Sequence, residues 1–497
     1  ESSPVGEESE PEALLGGSSA GHTLPRASAS ASAAARAGAT QVGAPCRVWG
    51  PRSGKHRQET DSDPDWYRHK RHLLVFTFSG KPVYTRYGCE EGITSTTGAL
   101  SAIVSKLQKF LVVSKALDTL QYMIAGDHIF AFLEKGPLWL VCISRCGDTY
   151  ADMVHLLERV HLQVIAILTA GIEKTLVNRP NYDMRNLLDG TDCVVNNMIR
   201  WCTQDMYLQI IGFEPLPLAP VVRNIATEAL KSARINNVLC GFLLAGHRML
   251  SVITNRQFKL HALDLLMVIN LIMSSASLRK GESWTPVCLP HFNDKAFAYA
   301  YISFMEDADI GVVFLSSASD GEQFYSISQQ AAAIKQHLTK TACLAGVLGA
   351  MQRCPTDLRV ASATYGARAE RSARTSLLPS APAPQWRLLE GIIHGAYYIP
   401  HLQQFFSSAI AEPHKTRRRA KILFRSYGRC RQLLRHAKQP CQICIATDHE
   451  CFYVSLAAEF QMYLTVPRGT STGVISQFYQ WIRSRESHLF LGAIPTW

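Results

Sequence analysis

The chain has 497 residues, 47% of them hydrophobic, and carries 51 Lys and Arg against 40 Asp and Glu, a formal charge of +11. That length exceeds what one core holds and predicts two to four domains, while the positive balance favours anionic headgroups, nucleic acid or an acidic protein face as partners. The apolar runs 154–172 and 260–273 are broken by Glu158, Arg159, His261 and Asp264, short of the roughly 18 uninterrupted apolar residues of a spanning helix, so any membrane contact is expected to be peripheral. Fourteen cysteines without a regular framework, no Asn-x-Ser/Thr sequon and no charged-then-apolar leader suggest a reducing, cytoplasmic setting without disulfides.

Residues 1–65 are rich in Ser, Ala, Gly, Pro and charge and bury too little apolar surface to offset ordering entropy, so they read as a disordered arm. After Trp66, Leu73, Val75 and Phe78 and then Val83 and Tyr84 suit two short strands turned by Ser79-Gly80-Lys81-Pro82. A helix follows, with Leu100, Ile103, Val104, Leu107 and Leu111 at three- and four-residue spacing as its core face. Thr94, Ser95 or Thr96 caps it, and Glu90 and Glu91 favour its positive end. Strands over 128–134 and 138–144 and a helix over 153–168 complete the first unit, residues 66–175.

A helical connection over 176–235 leads to a second unit, 236–342, in the same order: strands over 238–245 and 249–254, a helix over 261–274, strands over 297–304 and 310–315, and a helix over 329–338. The stretch 282–290, E-S-W-T-P-V-C-L-P, reads as a Trp- and Pro-bearing turn. A linker over 343–385 precedes a third unit, 386–497, with a helix over 401–410, strands over 442–446, 452–456 and 460–466, and a helix over 474–485. Helices alternating with hairpins imply an α/β (α+β layered) fold, each unit an antiparallel sheet of five strands flanked by helices.

Few residues suggest chemistry. Gly50-Pro51-Arg52-Ser53-Gly54-Lys55 is one residue short of a phosphate-cradling loop and has no strand before it. Cys441-x-x-Cys444 with His449 and Cys451 offers four sulfur or nitrogen ligands but the wrong spacing for zinc, so a buried strand is the better reading, as it is for Cys142 and Cys146. No metal, cofactor or catalytic residue is expected. The basic runs Arg68–Arg71 and 415–421 are either solvated loops or contacts to anionic headgroups, at roughly 1 kcal/mol per basic residue near a charged membrane. Neither is interleaved with stacking aromatics, which argues against nucleic acid. Trp284 is either a core residue or an exposed binding anchor.

Several segments together, Gly80-Lys81-Pro82-Val83-Tyr84 with Arg86-Tyr87-Gly88, the stretch 181–192, residues 260–273 leading into Ser283-Trp284-Thr285-Pro286-Val287-Cys288-Leu289-Pro290, and the closing Trp481-Ile482-Arg483, resemble the Mon-one vacuolar fusion protein family, the Mon subunit of the Mon/Ccz Rab exchange factor. The resemblance covers 66–340 and 415–497 and is poor over 353–414. It implies three longin-like domains and a heterodimer with the Ccz-one protein. That heterodimer would promote GDP release from a late-endosomal Rab GTPase of the Rab-seven type during endosome maturation and vacuole or lysosome fusion, with a regulatory arm and peripheral recruitment to a phosphoinositide-bearing endosomal or lysosomal membrane. Such a factor is not an enzyme of covalent chemistry, because it acts by binding the nucleotide-free GTPase more tightly than the loaded one. The implied Rab-facing residues are Glu91, Gly92, Ile93 and Thr94 with Trp284; the membrane-facing candidates are Lys415, Arg417, Arg418, Arg419 and Lys421. The alternative is a longin scaffold or adaptor in a trafficking complex, without exchange activity.

Overall fold

A computed structural model describes residues 56, 58–113, 119–179, 182–188, 190–359 and 386–497. The phosphate-loop-like stretch 50–55 and most of the arm lie outside the described residues.

The first domain begins with a short helix α1 (Pro64–Arg68), the hairpin β1 (Arg71–Thr77) and β2 (Pro82–Thr85), and helix α2 (Thr94–Val113). Strands β3 (Tyr122–Ala125), β4 (His128–Lys135) and β5 (Leu138–Ser144) and helix α3 (Tyr150–Leu168) complete it. Helices α4 (Gly171–Asn178), α5 (Arg185–Leu188), α6 (Asp192–Gln204) and α7 (Pro220–Ser232) lead to the second domain. That domain runs β6 (Val238–Ala245), β7 (Arg248–Thr254), α8 (Ala262–Ser274), β8 (Glu282–Leu289), β9 (Asn293–Phe304), β10 (Ile310–Ser316), α9 (Gly321–Lys340) and α10 (Cys343–Gln352). The third runs β11 (His394–Ile399), β12 (Gln404–Ser407), α11 (Arg417–Leu433), β13 (Cys441–Ala446), β14 (Glu450–Leu456), β15 (Gln461–Pro467), α12 (Gly473–Ser484) and α13 (Glu486–Leu489).

The three sheets share one topology: orders β2-β1-β5-β4-β3, β7-β6-β10-β9-β8 and β12-β11-β15-β14-β13, with antiparallel pairing throughout. The central strands are buried on both faces, and side-chain alternation along each strand sends successive residues into different cores. On β1, Leu74 and Phe76 meet Leu100 and Val104 of α2 on the outer side, while Leu73 and Val75 face inward with Leu157 and Val160 of α3. The second sheet likewise turns Leu243 and Phe314 to α7 and α9 and Phe242 and Val313 inward. The third turns Leu464 to α12 and Tyr463 to α11. One inner core therefore takes a face from all three sheets, with α3, α6, α8 and α11 filling the space between. Buried polar groups lock it: the Asn270 side-chain amide donates to Gln163 Oε1 at 3.0 Å and to the Val194 carbonyl at 2.9 Å, and Gln209 donates to Asp152 at 3.0 Å.

Several sequence expectations are corrected. The Trp- and Pro-bearing stretch 282–290 is not a turn: Glu282–Leu289 is edge strand β8, paired to β9 with Trp284 opposite Tyr301 and Pro286 opposite Tyr299. A proline is tolerated there because an edge strand has a side that needs no N–H donor. The helix expected over 401–410 is instead strand β12, whose Phe405 and Phe406 are buried on opposite faces, and the crossover helix is α11, beginning inside the basic run. The end of the expected disordered arm is structured: residues 56 and 58–65 pack on the first domain, where Asp61 N–H donates to the Gly92 carbonyl at 3.0 Å. Strand β13 is an edge strand with alternating exposure rather than a buried one. Its Cys441 and Cys444, three residues apart, fall on opposite faces, so the two do not converge on one ion.

Candidate functional site

The start of α2 is built from a distant segment. Thr94 and Ser95 come at the end of a single 3-10 turn, Glu91–Ile93, and the N–H groups of the first helical turn need acceptors from outside. Asp61 supplies one: its carboxylate accepts from Thr96 N–H at 3.0 Å and Thr96 Oγ1 at 2.9 Å, and also from Ser95 Oγ. Burial pushes the Asp61 carboxyl up, but these bonds from Ser95 and Thr96 outweigh it and hold the group below its ordinary value. From the other side, Thr97 Oγ1 donates to the Gly80 carbonyl and Ser101 Oγ to the Phe78 carbonyl, both at 2.8 Å. Gly80 takes a positive φ of 82°, and a side chain on it would come within 3.2 Å of the Gly98 backbone, so the hairpin turn and the helix approach as two glycines.

Of the expected Rab-facing residues, Glu91 and Thr94 are exposed and Gly92 is half-buried. Glu91 reaches Arg185 at 3.3 Å, and Arg185 in turn grips Asp183 at 2.6 Å. Those Arg185 hydrogen bonds pull the Asp183 carboxyl down to about 2. Ile93 is corrected: it is 0% exposed and anchors the turn from below in the outer core of the first sheet, so it presents no side chain to a partner. Trp284 is half-buried, stacked on Tyr299 with centroids 5.8 Å apart and edge-on to Phe324 at 6.0 Å. It packs against the outer core of the second sheet, a different core from the one beneath Glu91–Thr94.

Helix α2 carries a second feature. Leu100 and Val104 are buried as expected, but Ile103 and Leu107, read as core, are exposed, and Phe110 on the same stripe is 70% exposed. These three lie at i, i+4 and i+7 and form one face. Gln108 donates to Glu134 at 3.1 Å, setting the second half of the helix over β4, the neighbour of edge strand β3. On β3, Met123 packs with the outer core on the α2 side, whereas Ile124, 64% exposed, lies on the opposite face of the sheet level with Ile129. An apolar helix face next to an unpaired strand edge is surface that other residues of the described chain leave uncovered.

The basic run is the N-terminal turn of α11, where cations oppose the helix dipole. Thr416 caps it, accepting from Arg419 N–H at 3.4 Å. Lys415, Arg417, Arg418 and Arg419 are exposed, with Arg417 Nε donating to Gln204 at 3.1 Å. Lys421 departs from the membrane-facing expectation: it is half-buried and turned toward other cations. Burial, followed by the charges of Arg86, Arg71, Arg417 and Arg425, lowers it to about 8. Arg71 forms a bidentate pair with buried Asp148, and Arg425 lies 3.1 Å from the same carboxylate. Burial raises the Asp148 carboxyl, and Arg71, Ser144 and Arg425 together overcome that and hold it low. One acid thus ties the first domain to α11 of the third, and cations outnumber anions around it.

The model of the first longin domain of FUZ, MON1 and HPS1 matches residues 71–198, and that of the second matches 236–334. These spans run from β1 through most of α6 and from just before β6 into α9. Across nearly the whole chain, the vacuolar fusion protein MON1 homolog of Oryza sativa subsp. japonica is 28% identical over 492 residues, covering 95% of this chain and 84% of that protein. The chain carries the two longin domains of the FUZ, MON1 and HPS1 kind and is similar to MON1 vacuolar fusion proteins along most of its length. Protein SAND of Takifugu rubripes is 29% identical over 446 residues, 88% of this chain and 79% of that protein. The human vacuolar fusion protein MON1 homolog A is 28% identical over 453 residues, 89% of this chain and 64% of that protein. The similarity to MON1 proteins spans all three sheets, and among the described residues no single helix is long and apolar enough to cross a membrane.

Proposed function

We propose that this chain works in endosomal and vacuolar trafficking as one subunit of a heterodimeric guanine nucleotide exchange factor, paired with the Ccz-one protein and acting on a late-endosomal Rab GTPase of the Rab-seven type. The observation that carries the reading is the exposed apolar face Ile103, Leu107 and Phe110 on α2 beside the open edge of β3, in a chain similar to MON1 vacuolar fusion proteins. A longin partner covers such a face helix to helix or extends the sheet at β3. Pairing there leaves the start of the same helix, with Glu91 and Thr94, at the rim of the joint surface for the GTPase. Trp284 contributes from the second domain. The basic turn Lys415, Arg417, Arg418 and Arg419 meets anionic phosphoinositide headgroups, which recruits the complex peripherally to the late-endosomal or lysosomal membrane.

Exchange needs no proton transfer and no nucleophile. A surface that binds the nucleotide-free GTPase more tightly lowers nucleotide affinity by the same factor. The test is binding of the heterodimer to the GTPase in its nucleotide-free and GDP-loaded forms: tighter binding of the nucleotide-free form supports the reading, and equal affinity contradicts it. An adaptor without exchange activity is the second reading, favoured by the sharing of both longin domain models with FUZ and HPS1; it predicts that equality.

A further inference from the structure

We propose that His56, Glu59 and His69 form a divalent-metal site of the kind Zn²⁺ occupies, clipping the segment before β1 onto the first domain. His56 Nδ1 lies 2.9 Å from Glu59 Oε1, and His69 Nε2 lies 2.6 Å from Glu59 Oε2. One donor atom from each residue falls within 4.8 Å of the others. Two imidazoles and a carboxylate suit zinc, whereas Mg²⁺ and Ca²⁺ prefer oxygen alone. Three protein donors leave a fourth position for water or a partner's group.

The surroundings hold these donors in place. The Glu59 side chain is 10% exposed, a carboxylate withdrawn from water between two imidazoles. The His69 ring stacks flat on Tyr87, centroids 3.7 Å apart and planes within 3°, which fixes the direction of its Nε2. Trp66 Nε1 donates to the Tyr87 carbonyl at 3.3 Å, and Gly88 N–H donates to the His56 carbonyl at 2.7 Å. Gly88 has φ of +79°, and a side chain there would run to 2.3 Å from the Glu59 carbonyl. The glycine therefore admits the backbone that carries two of the donors, and orientation of ligands by an outer ring of contacts is characteristic of metal sites. Two residues beyond Glu59 stands Asp61, the acid that caps α2, so an ion here fastens the segment that builds the helix start.

The test uses the full chain, free of any polyhistidine tag, stripped with chelator and titrated with Co²⁺ and then Zn²⁺. The expected result is one Co²⁺ per chain with visible d–d absorption and no near-ultraviolet thiolate band, displaced by Zn²⁺. Glu59→Gln, which keeps the shape, and His69→Phe, which keeps the stack on Tyr87, each weaken binding at least tenfold, with circular dichroism of the metal-free variants checking their fold. A wild-type chain that takes up no Co²⁺, a thiolate band showing that cysteines hold the ion, or unchanged binding in both folded variants overturns the proposal. The wild-type titration decides even where a variant fails to fold.

Discussion

Asp61 accepts the backbone N–H of Thr96 at 3.0 Å, so a residue ten positions before β1 caps the helix that follows β2. Asp61→Ala leaves first-turn donors of α2 unsatisfied and is expected to destabilise the chain by about 1 kcal/mol. Urea unfolding measures the loss, and faster amide exchange over 96–100 relative to the other two domains shows that it is local.

The α2 face is expected to be an interface rather than a core. Ile103→Asp with Phe110→Asp should leave the melting temperature of the isolated chain nearly unchanged, because neither side chain is buried. The same pair should abolish co-elution with the Ccz-one protein, as loss of central apolar anchors does. By contrast, Leu100→Ala, a buried neighbour one turn away, should cost about 2–5 kcal/mol of stability.

Lys421 is held charged among cations at a cost. Its folded value, about 8, lies below the ordinary 10.5, so the folded state disfavours its proton. The chain should gain stability from this group as pH rises from 8 toward 10.5. Lys421→Gln is expected to raise the melting temperature at pH 7 while leaving co-sedimentation with phosphoinositide-containing vesicles, which rests on Lys415, Arg417, Arg418 and Arg419, nearly unchanged. A variant that lowers either contradicts the account.

His394 should make the third domain acid-sensitive. It is buried between Tyr427 Oη at 3.0 Å and Ser407 Oγ at 3.1 Å, with Phe424 against its ring. Burial, then the charge of nearby His414, lowers its value to about 3. The unfolded chain takes up a proton near pH 6.5 that the folded chain refuses, so stability is complete above that pH and falls as pH drops toward 3. At pH 5.5 this group alone costs about 1.4 kcal/mol. Urea midpoints at pH 7.5 and 5.5 should converge in His394→Gln relative to the parent.

The repeated order of strands and helices was legible because short apolar runs such as β1 end at Gly- and Pro-bearing turns, and burial recurs every three to four residues on α3. The same signal misled where two structures share it. Phe405 and Phe406 fall in the stretch 401–410 read as a helix, yet they serve opposite faces of β12. Trp284 and Pro286 looked like turn residues because proline is rare in strands, and only the position of β8 at a sheet edge makes them compatible. Ile103 and Leu107 could not be separated from Leu100 by hydropathy, since an interface and a core use the same side chains. His56 and Glu59 were hidden in a stretch whose composition reads as disordered, and tertiary contact with Gly88 and of His69 with Tyr87 gathers the three.

The most direct test is release of fluorescent GDP from a panel of Rab proteins by the chain alone, by the heterodimer with the Ccz-one protein, and by heterodimers carrying Glu91→Arg or Trp284→Ala. The account predicts acceleration on a late-endosomal Rab only with the partner present, weakened by either substitution. A well-folded heterodimer that accelerates release from no Rab contradicts it and leaves the adaptor reading in its place.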